Sequence, residues 1–313
     1  MLHAANDFHH IALSAGSIGL RAGRFDAPDA RGLCLLLGGQ TEFIEKYFEV
    51  IDELRARGLS VVTFDWRGQG GSGRMLPDST KAHIDDFAAY DQDLAAVMRD
   101  IVAPLAAEMK IRPIALAHSM GGHVLLRRLH DDGNGEFSGA AFSAPMLGIN
   151  PRGSPWWVVE KIAAHLNRNG PSTEFVWGLA ARDQRFLPFA QQIVTSDPVR
   201  YARNQALLAA QPDLRLNGPT WGWLGAAMKS IALMRRPGYA EAIKTPCLFF
   251  GAGHDRVCET PALAAFAARM PCARFVEIAH AEHEILMERD VFRAQFWSGF
   301  DAFLKEIAPA VSR

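Results

Sequence analysis

Ala117-His118-Ser119-Met120-Gly121 sets a serine among small residues at the junction of two patterns. Residues 111–116 form a short apolar run suited to a strand, and residues 122–129 repeat apolar side chains with a helical period. A serine on a tight strand-to-helix turn has its hydroxyl exposed at the sheet edge, where it can attack a carbonyl carbon. The serine backbone is strained there, and bulk two positions to either side meets neighbouring backbone, so such turns read G-x-S-x-G. Ala117 occupies the first glycine position and is the smallest replacement for it. A serine that only caps the following helix is the competing explanation.

A serine hydroxyl is a weak nucleophile near neutral pH; it needs a base, and the base needs an orienting acid. In α/β-hydrolases, whose nucleophile turn this one resembles, the acid and then the histidine follow the serine along the chain. The acid expected is Asp255, where the apolar run 247–250 enters the loop Gly251-Ala252-Gly253-His254-Asp255. The other customary place, after the preceding strand, reads Phe142-Ser143-Ala144-Pro145 and holds no carboxylate. An aspartate bonding its own turn is the alternative for Asp255. The base expected is His283, in Ile278-Ala279-His280-Ala281-Glu282-His283-Glu284, with His280 as its rival. His254 adjoins Asp255 and points elsewhere, while His118 and His123 are read as structural. Glu282 and Glu284 adjoin His283 and are candidates to raise its pKa, although the sequence does not set where they point. The H-x-x-H spacing of His280 and His283 raises zinc, but no third ligand cluster stands near, so no metal is expected.

Charge developing on the carbonyl oxygen calls for two backbone N–H donors. Met120, after the nucleophile, supplies one, and Gln40, in Gly38-Gly39-Gln40-Thr41-Glu42, supplies the other. An ordinary glycine turn leading into a helix is the alternative for that loop. Gly68-Gln69-Gly70-Gly71-Ser72-Gly73 matches G-x-G-x-x-G literally, yet Arg74-Met75-Leu76-Pro77-Asp78 continues as loop rather than opening a helix. These glycines are read as letting residues 65–68 pass beneath the floor of the site.

The elements that must position these groups are legible as alternation. Residues 8–25 read as a hairpin, and strands are expected at 33–37, 60–64, 111–117, 139–142, 247–250 and 274–278. Helices are expected at 42–57, 85–109, 261–270 and 290–307. Short apolar strands separated by helices imply a mostly parallel sheet with helices on both faces. The rhythm breaks at 146–238, which holds eight of the 17 prolines and five of the seven tryptophans. That stretch is expected to be a helical cap (lid) inserted into a core formed by 1–145 and 239–313.

Together, Gly39-Gln40-Thr41-Glu42-Phe43-Ile44-Glu45-Lys46-Tyr47, Asp65-Trp66-Arg67-Gly68-Gln69-Gly70, His118-Ser119-Met120-Gly121-Gly122 and Ser143-Ala144-Pro145-Met146 resemble the lysophospholipase and monoacylglycerol lipase group, of the serine aminopeptidase S33 type, among α/β-hydrolases. The resemblance covers most of residues 30–305, falls in the family order and is weakest across the cap. It implies the α/β-hydrolase fold and serine ester hydrolysis through an acyl-enzyme. Ser119 would be the nucleophile, Asp255 the acid and His283 the base, with the Gln40 and Met120 N–H groups as oxyanion hole. Two departures stand out: Gly38-Gly39 where relatives commonly have His-Gly, and Ala117 at the elbow. Neither removes a reacting atom.

Substrate class is read from the cap. Trp156, Trp157, Trp177, Trp221 and Trp223 are placed to line an apolar channel for an acyl chain, or else form the cap's own core. Burial gains roughly 0.8 kcal/mol per methylene, which suits a medium or long monoacyl ester. A thioesterase, peptidase or acyltransferase on the same fold is the alternative, as is a catalytically silent ligand-binding member. The chain has 313 residues, 49% of them hydrophobic, and a formal net charge of −1, so no basic surface argues for nucleic acid. No run of about 18 apolar residues suggests a membrane span. An apolar lid rim would allow transient contact with a membrane surface, without an amphipathic anchor to strengthen it. The first residues lack a basic-then-apolar leader, and Cys34, Cys247, Cys258 and Cys272 form no C-x-x-C pair. A reducing cytoplasm fits them. No cofactor is required, and the sequence does not set the oligomeric state.

Overall fold

The computed structural model describes residues 9–131, 135–151, 153, 156–177 and 187–307. Two antiparallel strands, β1 (His9–Ala15) and β2 (Ile18–Phe25), form the expected hairpin. The strands β3 (Gly32–Leu37), β4 (Leu59–Phe64), β6 (Ile114–His118), β7 (Gly139–Ser143), β9 (Cys247–Ala252) and β10 (Ala273–Ile278) follow. The eight lie in the order β1-β2-β4-β3-β6-β7-β9-β10 and are parallel from β4 onward. Two short strands, β5 (Lys81–Ala82) and β8 (Gly218–Pro219), pair with each other outside this sheet. This is the α/β-hydrolase architecture.

The apolar strands bury both faces, alternating side by side. Leu35, Leu37, Ala115, Ala117 and Phe249 face one core, while Cys34, Leu36, Leu116, Leu248 and Phe250 face the other. Helices α1 (Phe48–Ala56) and α10 (Asp290–Ile307) cover the second face. In α10, Phe292, Phe296, Phe300 and Phe303 recur every three or four residues and are buried. Each such ring contributes roughly 1.5–3 kcal/mol of burial. The first face takes α2 (Ala88–Val97), α3 (Ala103–Met109), α4 (Ser119–Asp131) and α9 (Thr260–Ala267).

Two expected helices start late, for local reasons. The helix predicted from residue 42 opens with a 3-10 turn at Ile44–Tyr47, because Thr41 is left-handed (φ 67°) and Glu42 is used inward as a brace. The helix predicted over 85–109 begins at Ala88, since Asp86 Oδ1 accepts from the Ala88 N–H and holds a turn before it. Between α2 and α3 the same rod widens into a π-helical stretch, Met98–Val102.

Among the described residues, those between β7 and β9 add no strand to the main sheet; they form α5 (Trp156–Asn169), α6 (Pro198–Ala210), α7 (Trp221–Met234) and α8 (Tyr239–Ala242). Asp197 caps α6 by accepting from the Val199 and Arg200 N–H groups, with Pro198 at the first helical position. Thr220 caps α7 at the Trp223 N–H, and its hydroxyl also meets His83 Nδ1 at 2.8 Å. His123 Nε2 meets Ser230 Oγ at 2.7 Å, a second tie from the sheet domain to α7. Among the described residues no helix is long and apolar enough to cross a membrane.

Candidate active site

The chain order of the sheet reverses between β3 and β6: β4 lies on one side of β3 and β6 on the other. Crevices form at the carboxyl ends of strands at such a switch point. The loop after β3 and the turn after β6 meet there. Ser119 sits on that turn with φ 49°, in the left-handed region that non-glycine residues rarely adopt. The two glycines that follow are required by space. A Cβ at Gly121 would lie 2.4 Å from the Gly38 carbonyl oxygen, and one at Gly122 would lie 2.7 Å from Pro145 Cβ. Ala117, by contrast, points its methyl into the core with no exposure, so the sheet accepts an alanine at that position.

Ser119 Oγ lies 2.9 Å from His283 Nε2, and His283 Nδ1 lies 2.7 Å from Asp255 Oδ2. The second Asp255 oxygen accepts from the Val257 and Cys258 N–H groups, both at 2.8 Å. Asp255 therefore bonds its own turn and the imidazole at once, so the two readings of this residue coexist. An ionised carboxylate only accepts, so Nδ1 carries the proton and Nε2 is left to accept from the serine. Burial pushes the Asp255 pKa up, but His283 and the two N–H groups overcome it and hold the group below the usual carboxylate range. Burial likewise pushes His283 down, and Asp255, with Glu284 and Glu42 behind it, brings it above the ordinary imidazole value. His280 lies exposed in a left-handed turn (φ 63°). His254 is exposed and faces Glu282. Glu282 is occupied by Arg256, whereas Glu284 turns inward to Lys46.

The loop 38–41 lies over Ser119: a Cβ at Gly39 would stand 3.1 Å from Ser119 Cβ. Residues 65–73 fix it from below. Trp66 Nε1 donates to the Gly38 carbonyl at 2.9 Å, and Gln69 Nε2 donates to that of Gly39 at 2.8 Å. Gln69 Oε1 accepts from the Thr41 N–H. Buried Asp65 accepts from the Ile44 and Gly71 N–H groups and from Arg21. Gly70 (φ 53°) must lack a side chain, since its Cβ would fall 2.2 Å from the Asp65 carboxyl carbon. The glycine-rich stretch thus braces the loop beside the serine. The roles of Glu42, Lys46 and Gln69 were not visible in the sequence; their only signal was a cluster of polar residues beside the glycines.

A cavity of about 940 Å³ opens over Ser119 and His283. Its lining includes the apolar side chains Ile149, Val159, Ile162, Leu216 and Leu224 and the polar Gln40, Thr41, Gln192, Asn204 and Gln205. Of the five tryptophans expected at an acyl channel, Trp177, Trp221 and Trp223 border the cavity. Trp221 and Trp223 are buried and belong to the core cluster as well, Trp223 Nε1 lying 3.2 Å from Tyr90 Oη. Trp177 is 68% exposed and packs edge-on against Trp221. The side chains of Trp156 and Trp157 lie outside the described ones.

The chain matches known proteins over most of its length. Residues 28–290 match the family described as serine aminopeptidase, S33. Lysophospholipase L2 of Escherichia coli (strain K12) is 33% identical over 290 residues, covering 88% of this chain and 81% of that protein. Probable lysophospholipase L2 of Haemophilus influenzae is 28% identical over 277 residues, covering 88% and 84%. A soluble variant of monoglyceride lipase from Saccharomyces cerevisiae, solved with a substrate analog, superposes with a TM-score of 0.76. It is 19% identical, and the match covers 96% of this chain and 94% of that one. The match spanning 28–290 takes in the serine turn, the Asp255 loop and the His283 loop, and on that ground the chain belongs to the serine aminopeptidase S33 family of α/β-hydrolases.

Proposed function

We propose that this ester hydrolase cleaves the carboxylic esters of monoacyl lipids through an acyl-enzyme on Ser119. The observation that carries the reading is the hydrogen-bonded line Ser119–His283–Asp255 opening into a cavity lined by both apolar and polar side chains. His283 Nε2 takes the Ser119 proton as Oγ attacks the ester carbonyl. The Gln40 and Met120 N–H groups receive the developing oxyanion; Met120 lies in the first turn of α4, whose N–H groups lack intrahelical partners. The imidazolium protonates the departing alcohol, and water then attacks the acyl-enzyme with His283 again as base.

In this reading residues 146–238 are the cap, the apolar lining side chains take the acyl chain and the polar ones take the glycerol portion. Gln40 Nε2, Asn204 Oδ1 and Gln205 Oε1 are buried without a partner among the described residues, and a hydroxyl can both donate and accept there. Trp177 and Phe189, both exposed, give the cap an apolar outer rim suited to brief contact with a lipid surface.

A series of monoacylglycerols and lysophospholipids of increasing chain length tests this. Each added methylene should raise kcat/KM by about two- to fourfold until the cavity is full, the upper value being 0.8 kcal/mol per methylene. A flat profile would reject the acyl-chain site, and faster turnover of thioesters or aminoacyl amides would favour the other reactions this fold supports.

The acid limb of the pH profile tests the base. His283 must be neutral to accept a proton, and its pKa is raised, so kcat/KM should fall as pH drops through a midpoint above about 6.5. A midpoint near 4, where burial holds His118, would point to that imidazole instead.

A further inference from the structure

Glu42, Lys46 and Glu284 are almost wholly inside the protein, with side chains 5%, 7% and 14% exposed. Lys46 Nζ lies 2.8 Å from Glu42 Oε1 and 2.6 Å from Glu284 Oε1, joining residues 238 positions apart. We propose that Lys46, clamped between Glu42 and Glu284, is a positioning residue that locks the loop over Ser119 to the loop of His283 and sets the charge behind the imidazole. The inference rests on the proposed roles of Ser119 and His283.

Each end of the bridge grips a working part. The second Glu42 oxygen accepts from the Gly39 N–H and the Tyr47 hydroxyl, so the carboxylate fixes the curve of residues 38–41. Glu284 follows His283 directly, and its own N–H donates to the Val194 carbonyl at 2.8 Å, reaching into the proposed cap. A single ammonium thereby ties together the oxyanion loop, the base and the cavity wall. Loss of the ammonium would leave two buried carboxylates facing each other, an arrangement low-dielectric surroundings strongly disfavour.

The three charges sum to one negative charge. When His283 takes the serine proton it becomes a cation, and a fixed negative charge behind it favours that state. Other groups facing His283 are accounted for. Asp255 bonds it directly, and Cys258 is a buried thiol bordering Ser119 and Asp255. His118 has its ring centre 4.9 Å away, and burial keeps it neutral down to about pH 4, with Nδ1 on the Ser143 carbonyl. Glu282 is neutralised by Arg256, with His254 beside it. Among the described residues the bridge is the remaining uncompensated charge.

The test is kcat and kcat/KM for p-nitrophenyl butyrate over about pH 5 to 9 on the full chain, in wild type and three variants. Lys46→Met should lower kcat about 10- to 100-fold and move the acid limb up by about one pH unit, since the negative charge grows. Glu284→Gln should move the limb down by about half to one unit, since negative charge is lost. Lys46→Arg, keeping the charge, should restore kcat to within a few fold of wild type. A purely structural bridge would not shift the limb in opposite directions. Limbs that coincide with wild type, or shift the same way, overturn the proposal. If Lys46→Met fails to fold by circular dichroism, the direction of the Glu284→Gln shift decides alone. Ser119→Ala separates the two readings: if it keeps activity, the nucleophile assignment fails, and the bridge falls with it for that reason.

Discussion

Ser119→Ala is expected to abolish labelling by a fluorophosphonate and to lower kcat about 10⁴- to 10⁶-fold, with the thermal midpoint nearly unchanged. The substitution deletes one oxygen, the hydroxyl at the end of the hydrogen-bonded line and the atom proposed to bond the acyl carbon. Alanine tolerates the left-handed φ of 49° no worse than serine does, so the turn survives. The glycines at 121 and 122, which let α4 approach the Gly38 carbonyl and Pro145, are untouched. Loss of reaction with retained fold therefore isolates the nucleophile. Residual turnover over water would come from the oxyanion donors and the cavity. Equal labelling of both proteins would reject Ser119.

Asp255→Asn should lower kcat about 10⁴-fold while the protein stays folded. The two oxygens of Asp255 have different duties. Oδ1 is held by the Val257 and Cys258 N–H groups, and an amide must present its carbonyl there. That orientation turns the NH₂ toward His283 Nδ1, which must then accept. The ring proton moves to Nε2, facing the Ser119 hydroxyl, and the imidazole can no longer take the serine proton. Asp255→Ala would confound this by leaving two N–H groups without their acceptor. Steady-state kinetics beside circular dichroism checks the result; asparagine with near wild-type kcat would show that the imidazole is oriented by something else.

How far these residues could be read in advance follows from how each is specified. Ser119, Asp255 and His283 each end a strand in a recognisable local pattern: a small-residue turn, a glycine-rich loop with a carboxylate, a histidine before the last helix. The sheet was legible for the same reason, because strands buried on both faces are continuous apolar runs. Glu42 and Lys46 fall at the start of the helix expected at 42–57, where a glutamate and a lysine four residues apart are the ordinary sign of a solvated helical pair. Only the approach of Glu284 from the far end of the chain makes that pair interior. Gln69 was hidden in a stretch that imitates a nucleotide loop, and its contact is with a glycine carbonyl 30 residues earlier. The described tryptophan side chains of 146–238 divide as no periodicity could announce: Trp223 turns toward Tyr90 in the core, while Trp177 stands in solvent.

By itself the sequence determined the order of strands and helices in the sheet domain and offered a serine, a carboxylate and histidines in that order, because those depend on short-range pattern and on side-chain chemistry. The tertiary structure alone decided which histidine reaches Ser119, which glutamate turns inward, and that a lysine fastens two distant loops. Those outcomes depend on where strand ends converge at the reversal between β3 and β6, and convergence is a property of the packed sheet, where distance along the chain no longer measures distance in space.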